Sequence, residues 1–146
     1  MTQRVDFYIL DNSDEYSWLF CACRITAKAY QQGLNVYVQV DSEPAAAEFD
    51  RLLWSFNAPS FVPHEMVMEN IAPTAPVLIG LEPQVDKWDS LLLTLTQEVP
   101  ANAERFSRVA DLILNNEQHK RNGRERFRYY RDLGIEPNTH QIRITT

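Results

Sequence analysis

Glycine is scarce in this chain, with four in 146 residues at positions 33, 80, 123 and 134. No two stand close enough to build a phosphate-cradling loop. The turn after the first apolar segment reads Asp11-Asn12-Ser13-Asp14, whose carboxylates would repel a pyrophosphate. Walker-type and dinucleotide-binding sites are thereby excluded. Histidine is rarer still: His64, His119 and His140 show neither HxxxH nor HExxH spacing. His64, following a proline, reads as a capping or hydrogen-bonded turn residue rather than a metal ligand. Cys21 and Cys23 fall two apart in a helical segment and point to different sides, which disfavours a shared metal or a mutual disulfide. Small apolar thiols in a reducing compartment are the expectation. There is no GxSxG elbow, and neither cysteine sits in a nucleophile motif. The acidic pairs Asp14/Glu15 and Asp86/Asp89 read as solvated loop residues. No catalytic residue, metal or cofactor is expected.

Long apolar runs are absent as well. None approaches the ~20 residues a membrane helix needs, and no basic-then-apolar leader precedes Val5. The expectation is a soluble cytoplasmic chain without membrane contact, folding as one domain over residues 1–146. With 45% hydrophobic and 23% charged residues, the composition is that of a globular core rather than a disordered tail.

Val5–Leu10 is β-branched and aromatic and predicts a strand. Residues 15–32 repeat apolar positions (Leu19, Cys23, Ala27, Tyr30) at helical spacing, with Ser13 or Asp14 as N-cap and Gly33 as stop. Residues 34–40 predict a second strand. A second helix runs to about Trp54, with Ser42 as N-cap and Pro44 in its first turn. Ser60–His64 fits neither pattern. Strands are predicted at 77–80 and 90–95, and a helix from Ala103 to Leu114, because Phe106, Val109, Ala110 and Ile113 share one side. A last helix spans 117–133, ended by Gly134 and Pro137. Gln141–Ile144 reads as a short edge strand. Strand–helix alternation with short connections points to an α/β layer architecture with a largely parallel sheet.

Charge is unevenly placed. Lys120–Arg131 holds six of the fourteen basic residues and one acid, a window of +5, which leaves −11 for the other 134 residues. At about 100° per residue, with Lys120 at zero, Arg124 falls at about 40°, Phe127 at −20°, Arg128 at 80° and Arg131 at 20°. Tyr130 stands at the edge of this sector, and Arg126 and Tyr129 point elsewhere. Four cations thus flank one aromatic on one helical face. Guanidinium groups fork onto carboxylates, and an aromatic anchors an apolar side chain. The pattern suits a short acidic and apolar peptide ending in a free carboxylate. A solvated basic face with an inward-packed aromatic is the bland alternative, and contact with nucleic-acid phosphates a third. The acidic remainder of the chain argues against the last. Trp54, Phe56, Phe61, Val62 and Pro63 form a second candidate surface, core by default and a protein interface if exposed.

Phe7-Tyr8-Ile9-Leu10-Asp11, then Leu53-Trp54 with Ser60-Phe61-Val62-Pro63-His64, then Arg124-Glu125-Arg126-Phe127-Arg128-Tyr129-Tyr130-Arg131-Asp132-Leu133-Gly134 and Asn138-Thr139 resemble the chi subunit family of DNA polymerase III. The resemblance covers nearly the whole chain in order. It implies a three-layer α/β/α fold with a central, largely parallel sheet, nucleotide-binding-like but lacking a P-loop, that catalyses nothing. It also implies a psi subunit that tethers the chain to the clamp loader, and binding of the acidic, apolar C-terminal tail of single-stranded DNA-binding protein. The tail site would fall on Lys120, Arg124, Phe127, Arg128 and Arg131, with apolar help from Ile113 and Leu114 at the end of the preceding helix. The psi surface would involve Trp54, Phe61, Val62 and Pro63. Some members pair through the same surface with an XPD-like repair helicase. Position 127 is Phe where the family usually has Tyr; the ring is kept, while one hydrogen bond, worth about 0.5–1.5 kcal/mol, is lost.

Overall fold

The structure, a computed structural model, describes residues 2–57, 62–67, 75–82, 90–101 and 103–145. In chain order the elements are β1 (Arg4–Leu10), α1 (Glu15–Gln31), β2 (Asn35–Val40), α2 (Glu43–Ser55), β3 (His64–Met66), β4 (Val77–Gly80) and β5 (Ser90–Leu95). A single 3-10 turn at Ala103–Arg105, β6 (Arg108–Ile113), α3 (Glu117–Asp132) and β7 (Asn138–Ile142) follow. The seven strands make one sheet ordered β3-β4-β2-β5-β6-β1-β7, and every pairing is parallel. The expected three-layer α/β/α arrangement is therefore present, with a wholly rather than largely parallel sheet.

Side-chain alternation along the strands divides the core in two. Leu10, Val36, Val38, Leu91, Leu93 and Leu112 pack under α1 and α2. Val5, Phe7, Tyr37, Leu92, Val109 and Ile113 form the opposite cluster with Tyr130 of α3. Helix starts follow their sequence signals. Asp14, not Ser13, caps α1 by accepting from the Ser17 amide at 3.0 Å, and Ser42 caps α2 through the Ala45 amide at 3.2 Å. Cys21 and Cys23 are free and buried, and burial pushes the Cys21 thiol up to about 12 and Cys23 in the same direction.

Three local expectations need correction. The predicted helix 103–114 is a 3-10 turn followed by strand β6. Val109–Leu114 is apolar at nearly every position because β6 is covered on both faces, and such a run satisfies helical spacing by accident. The segment before His64 leads into β3, three residues long and paired to β4, too short to show a period. His64 is consequently a buried strand residue; its Nδ1 donates to the Val62 carbonyl at 2.6 Å. The edge strand lies at Asn138–Ile142 rather than 141–144. Phe61, Pro73, Asp86 and Asp89 lie outside the described residues.

Past β7 the chain is still held. The Asn12 side chain donates to the Ile144 carbonyl at 3.0 Å and accepts from the Ile144 amide at 2.8 Å. One amide side chain thus continues the β1–β7 ladder beyond the Leu10–Ile142 pair. Asn12→Ala removes both bonds, at about 1 kcal/mol each. Amide exchange at Ile144 is expected to speed up while that of β6 stays slow; unchanged protection at Ile144 contradicts the clamp.

Candidate functional site

Helix α3 is defined from both ends. Asn116 caps it by accepting from the His119 amide at 2.8 Å. At the C-terminus Gly134 adopts φ +87, a left-handed conformation that glycine enters without Cβ strain. The Gly134 amide then reaches the Arg131 carbonyl at 2.9 Å and the Ile135 amide the Tyr130 carbonyl at 3.1 Å, a Schellman closure.

The inner face of α3 carries Gly123, Arg126 and Tyr130, all buried. Tyr130 packs edge-on against Phe7 with centroids 6.2 Å apart. Gly123 lies against Ile113 of β6. A Cβ there would overlap Ile113 Cδ1 and stand 2.9 Å from Cγ1. Gly123→Ala would gain about 1 kcal/mol of helix propensity, yet overpacking a buried contact costs about 1–3 kcal/mol. Ile113 is enclosed by its cluster, so a net loss is expected in urea unfolding. A gain in stability would show that the helix does not rest on Ile113.

Arg126 is 3% exposed and Asp111, in the middle of β6, 0%. Their contact is a two-pronged fork, Nε to Oδ2 at 2.7 Å and Nη2 to Oδ1 at 2.9 Å. Arg126 Nη1 also donates to the carbonyls of Thr96 at 3.1 Å and Gln97 at 2.8 Å. Burial raises the Asp111 carboxyl against the pull of the guanidinium. Burial works to lower Arg126, but the Asp111 charge outweighs it and holds the guanidinium above its ordinary range. The clamp fixes the roll of α3 on the sheet.

With that face turned in, the opposite face presents its cations. Arg124, Arg128 and Arg131 are exposed and Lys120 is half-buried. Arg128 stands 3.4 Å from Glu125 and Arg131 3.8 Å from Glu136; such surface pairs are worth little and yield to a better partner. Arg124 has no carboxylate within salt-bridge distance among the described residues. Phe127 is half-buried, its ring tilted against Phe7 at 5.1 Å and joined to the cluster that contains Ile113. Lys120, Arg124, Phe127, Arg128 and Arg131 thus all stand on α3, and of them Phe127 joins the cluster that contains Ile113. Ile113 ends strand β6 and Leu114 follows it, so neither stands in a helix; Ile113 belongs to the cluster on the α3 side and Leu114 to the one under α1 and α2.

At the second candidate surface Trp54 is 53% exposed and lies against the His64 ring with centroids 4.3 Å apart. Val62 is core, Pro63 half-buried, and Phe56 turns toward Phe20. Counting charge along α3 did not separate Arg126 from the surface cations. The helical wheel turned Arg126 away from them, and the signal for its burial was the lone acid Asp111 in an apolar run.

The family model described as DNA polymerase III chi subunit, HolC matches residues 1–138. DNA polymerase III subunit chi of Pseudomonas aeruginosa is 37% identical over 139 residues, 95% of this chain and 96% of that protein. The proteins of the same name from Haemophilus influenzae and Escherichia coli are 28% and 30% identical, over 97% and 91% of this chain and 99% and 94% of their own lengths. The crystal structure of T4 UvsW aligns with a TM-score of 0.69 at 9% identity, over 97% of this chain and 42% of UvsW, a likeness of fold alone.

Proposed function

The chain belongs to the DNA polymerase III chi subunit family, and from that premise we propose that it is a non-catalytic accessory subunit of a DNA polymerase III holoenzyme. In this reading it works in the cytoplasm and links two partners. The outer face of α3 takes the acidic, apolar C-terminal tail of single-stranded DNA-binding protein, and the surface around Trp54 takes a psi-type subunit of the clamp-loader complex.

The observation that carries the tail assignment is the cationic strip Lys120, Arg124 and Arg128 around a half-buried Phe127. The strip offers guanidinium forks for carboxylates and an aromatic ring for the tail's terminal apolar side chain. Spatial separation supports the double role. Trp54 lies against His64 of the edge strand β3, whereas α3 packs on β6. Four strand spacings of about 4.8 Å lie between them, and α2 and α3 stand on opposite faces of the sheet. Both partners fit at once.

The test is capture by an immobilised synthetic tail peptide, offered with and without its last apolar residue. Retention on the complete peptide, and its loss on the shortened one or at high salt, is the expected result. Equal retention on both peptides would contradict an aromatic anchor.

A further inference from the structure

Most basic residues outside α3 also converge. Helix α1 packs on β2, β5 and β6, and on that side of the sheet the strands β1 and β7 are left as the floor of an open groove of about 700 Å³. Five cations line it: Arg4, Arg24, Lys28, Arg108 and Arg143. They come from β1, α1, β6 and the segment after β7, and only Asp6 among the lining residues is acidic. In a chain of net charge −6, this concentration of one sign is a product of the topology. Parallel pairing sets Arg4 beside Arg108, and one turn of α1 separates Arg24 from Lys28.

Several of these charges are uncommitted. Arg4 is paired to Asp6 at 2.9 Å, and Arg143 only loosely to Asp11 at 3.8 Å. Arg24, Lys28 and Arg108 have no carboxylate within salt-bridge distance among the described residues. Arg108 Nε is buried without a hydrogen-bond partner among them, a donor that an anion would satisfy. The floor also carries a stacked aromatic pair. Tyr8 and His140, register partners in β1 and β7, stack with centroids 4.9 Å apart and planes 19° from parallel. His140 is fixed through Nε2 to the Asp6 carboxylate at 2.9 Å, and its side chain remains 38% exposed.

We propose that this groove binds single-stranded nucleic acid, with phosphates on Arg24, Lys28 and Arg108 and a base continuing the Tyr8–His140 stack. Cations flanking an aromatic platform suit a sugar-phosphate chain whose bases have been unstacked. A polyglutamate chain would meet the same charges but has no ring to continue the stack. The site is distinct from α3, which lies on the opposite face of the sheet.

Fluorescence anisotropy of the full chain with a labelled oligodeoxythymidine at low salt tests this. Arg24 and Lys28 are exposed, so Arg24→Glu with Lys28→Glu spares the core. The pair is expected to weaken oligonucleotide binding about tenfold or more and to flatten the salt slope by about 1.4, because two phosphates are no longer neutralised. Its binding of the acidic tail peptide should remain, which reports an intact fold. Arg143→Glu alone should act in the same direction with a smaller effect. Absence of binding by the unmodified chain would overturn the proposal. So would loss on Arg124→Ala/Arg128→Ala with the groove variant unaffected, or polyglutamate competing as well as unlabelled oligonucleotide.

Discussion

Arg126→Ala is expected to lower the unfolding free energy by about 3–5 kcal/mol, since it leaves a charged partner buried and alone. Asp111 has no access to solvent and accepts both prongs of the guanidinium, while Arg126 Nη1 donates to the carbonyls of Thr96 and Gln97. For a domain with about 5–15 kcal/mol in total, such a loss is a large fraction of stability. The attraction of the pair is not itself the gain, because removing two charges from water costs about as much as their contact returns. The double change Asp111→Leu with Arg126→Met is therefore expected to restore most of the stability. Arg126→Lys should fall between, as a single ammonium cannot reproduce the fork. Urea unfolding midpoints check all three. An Arg126→Ala midpoint equal to that of the unmodified chain would mean that the helix is held by Tyr130 and Phe127 alone.

On the outer face the largest effects concern affinity. Arg124→Ala is expected to weaken the tail peptide by about 1.5–3 kcal/mol, the range for a hydrogen bond to a charged group. Phe127→Ala, the loss of an aromatic anchor, should cost about 2 kcal/mol or more. Because the Phe127 ring also packs on Phe7, part of its effect will appear as reduced stability, whereas Arg124 is exposed and gives the cleaner reading. Phe127→Tyr restores a hydroxyl and should tighten the complex by about 0.5–1.5 kcal/mol. Calorimetric titration separates these cases, and unaltered affinity in both alanine variants would remove the site from α3.

Much of the architecture was legible because single residues carried unambiguous local chemistry. Ser42 with Pro44, Asp14, Gly33 and Gly134 set helix ends through caps and left-handed turns, and Val77–Gly80 and Ser90–Leu95 are strands where buried parallel strands should be. Strand β6 was not legible, since an apolar run buried on both faces has no period of its own and borrows the helical one. Strand β3 offers only three residues. Within α3 the wheel gave the direction of Arg126 but not its depth, which depends on a carboxylate in the neighbouring strand. The groove was invisible for a plainer reason: residues 4, 24, 28, 108 and 143 meet only after β1 inserts between β6 and β7.

The most direct test of tail recognition by α3 is an amide chemical-shift titration of the full chain with the acidic, apolar tail peptide. Shifts at saturation are predicted to cluster on Lys120, Arg124, Phe127, Arg128 and the adjoining Ile113, leaving the Trp54 edge and the Arg24–Lys28 groove unmoved. Shifts confined to either of those surfaces, or no shift at all, would contradict it.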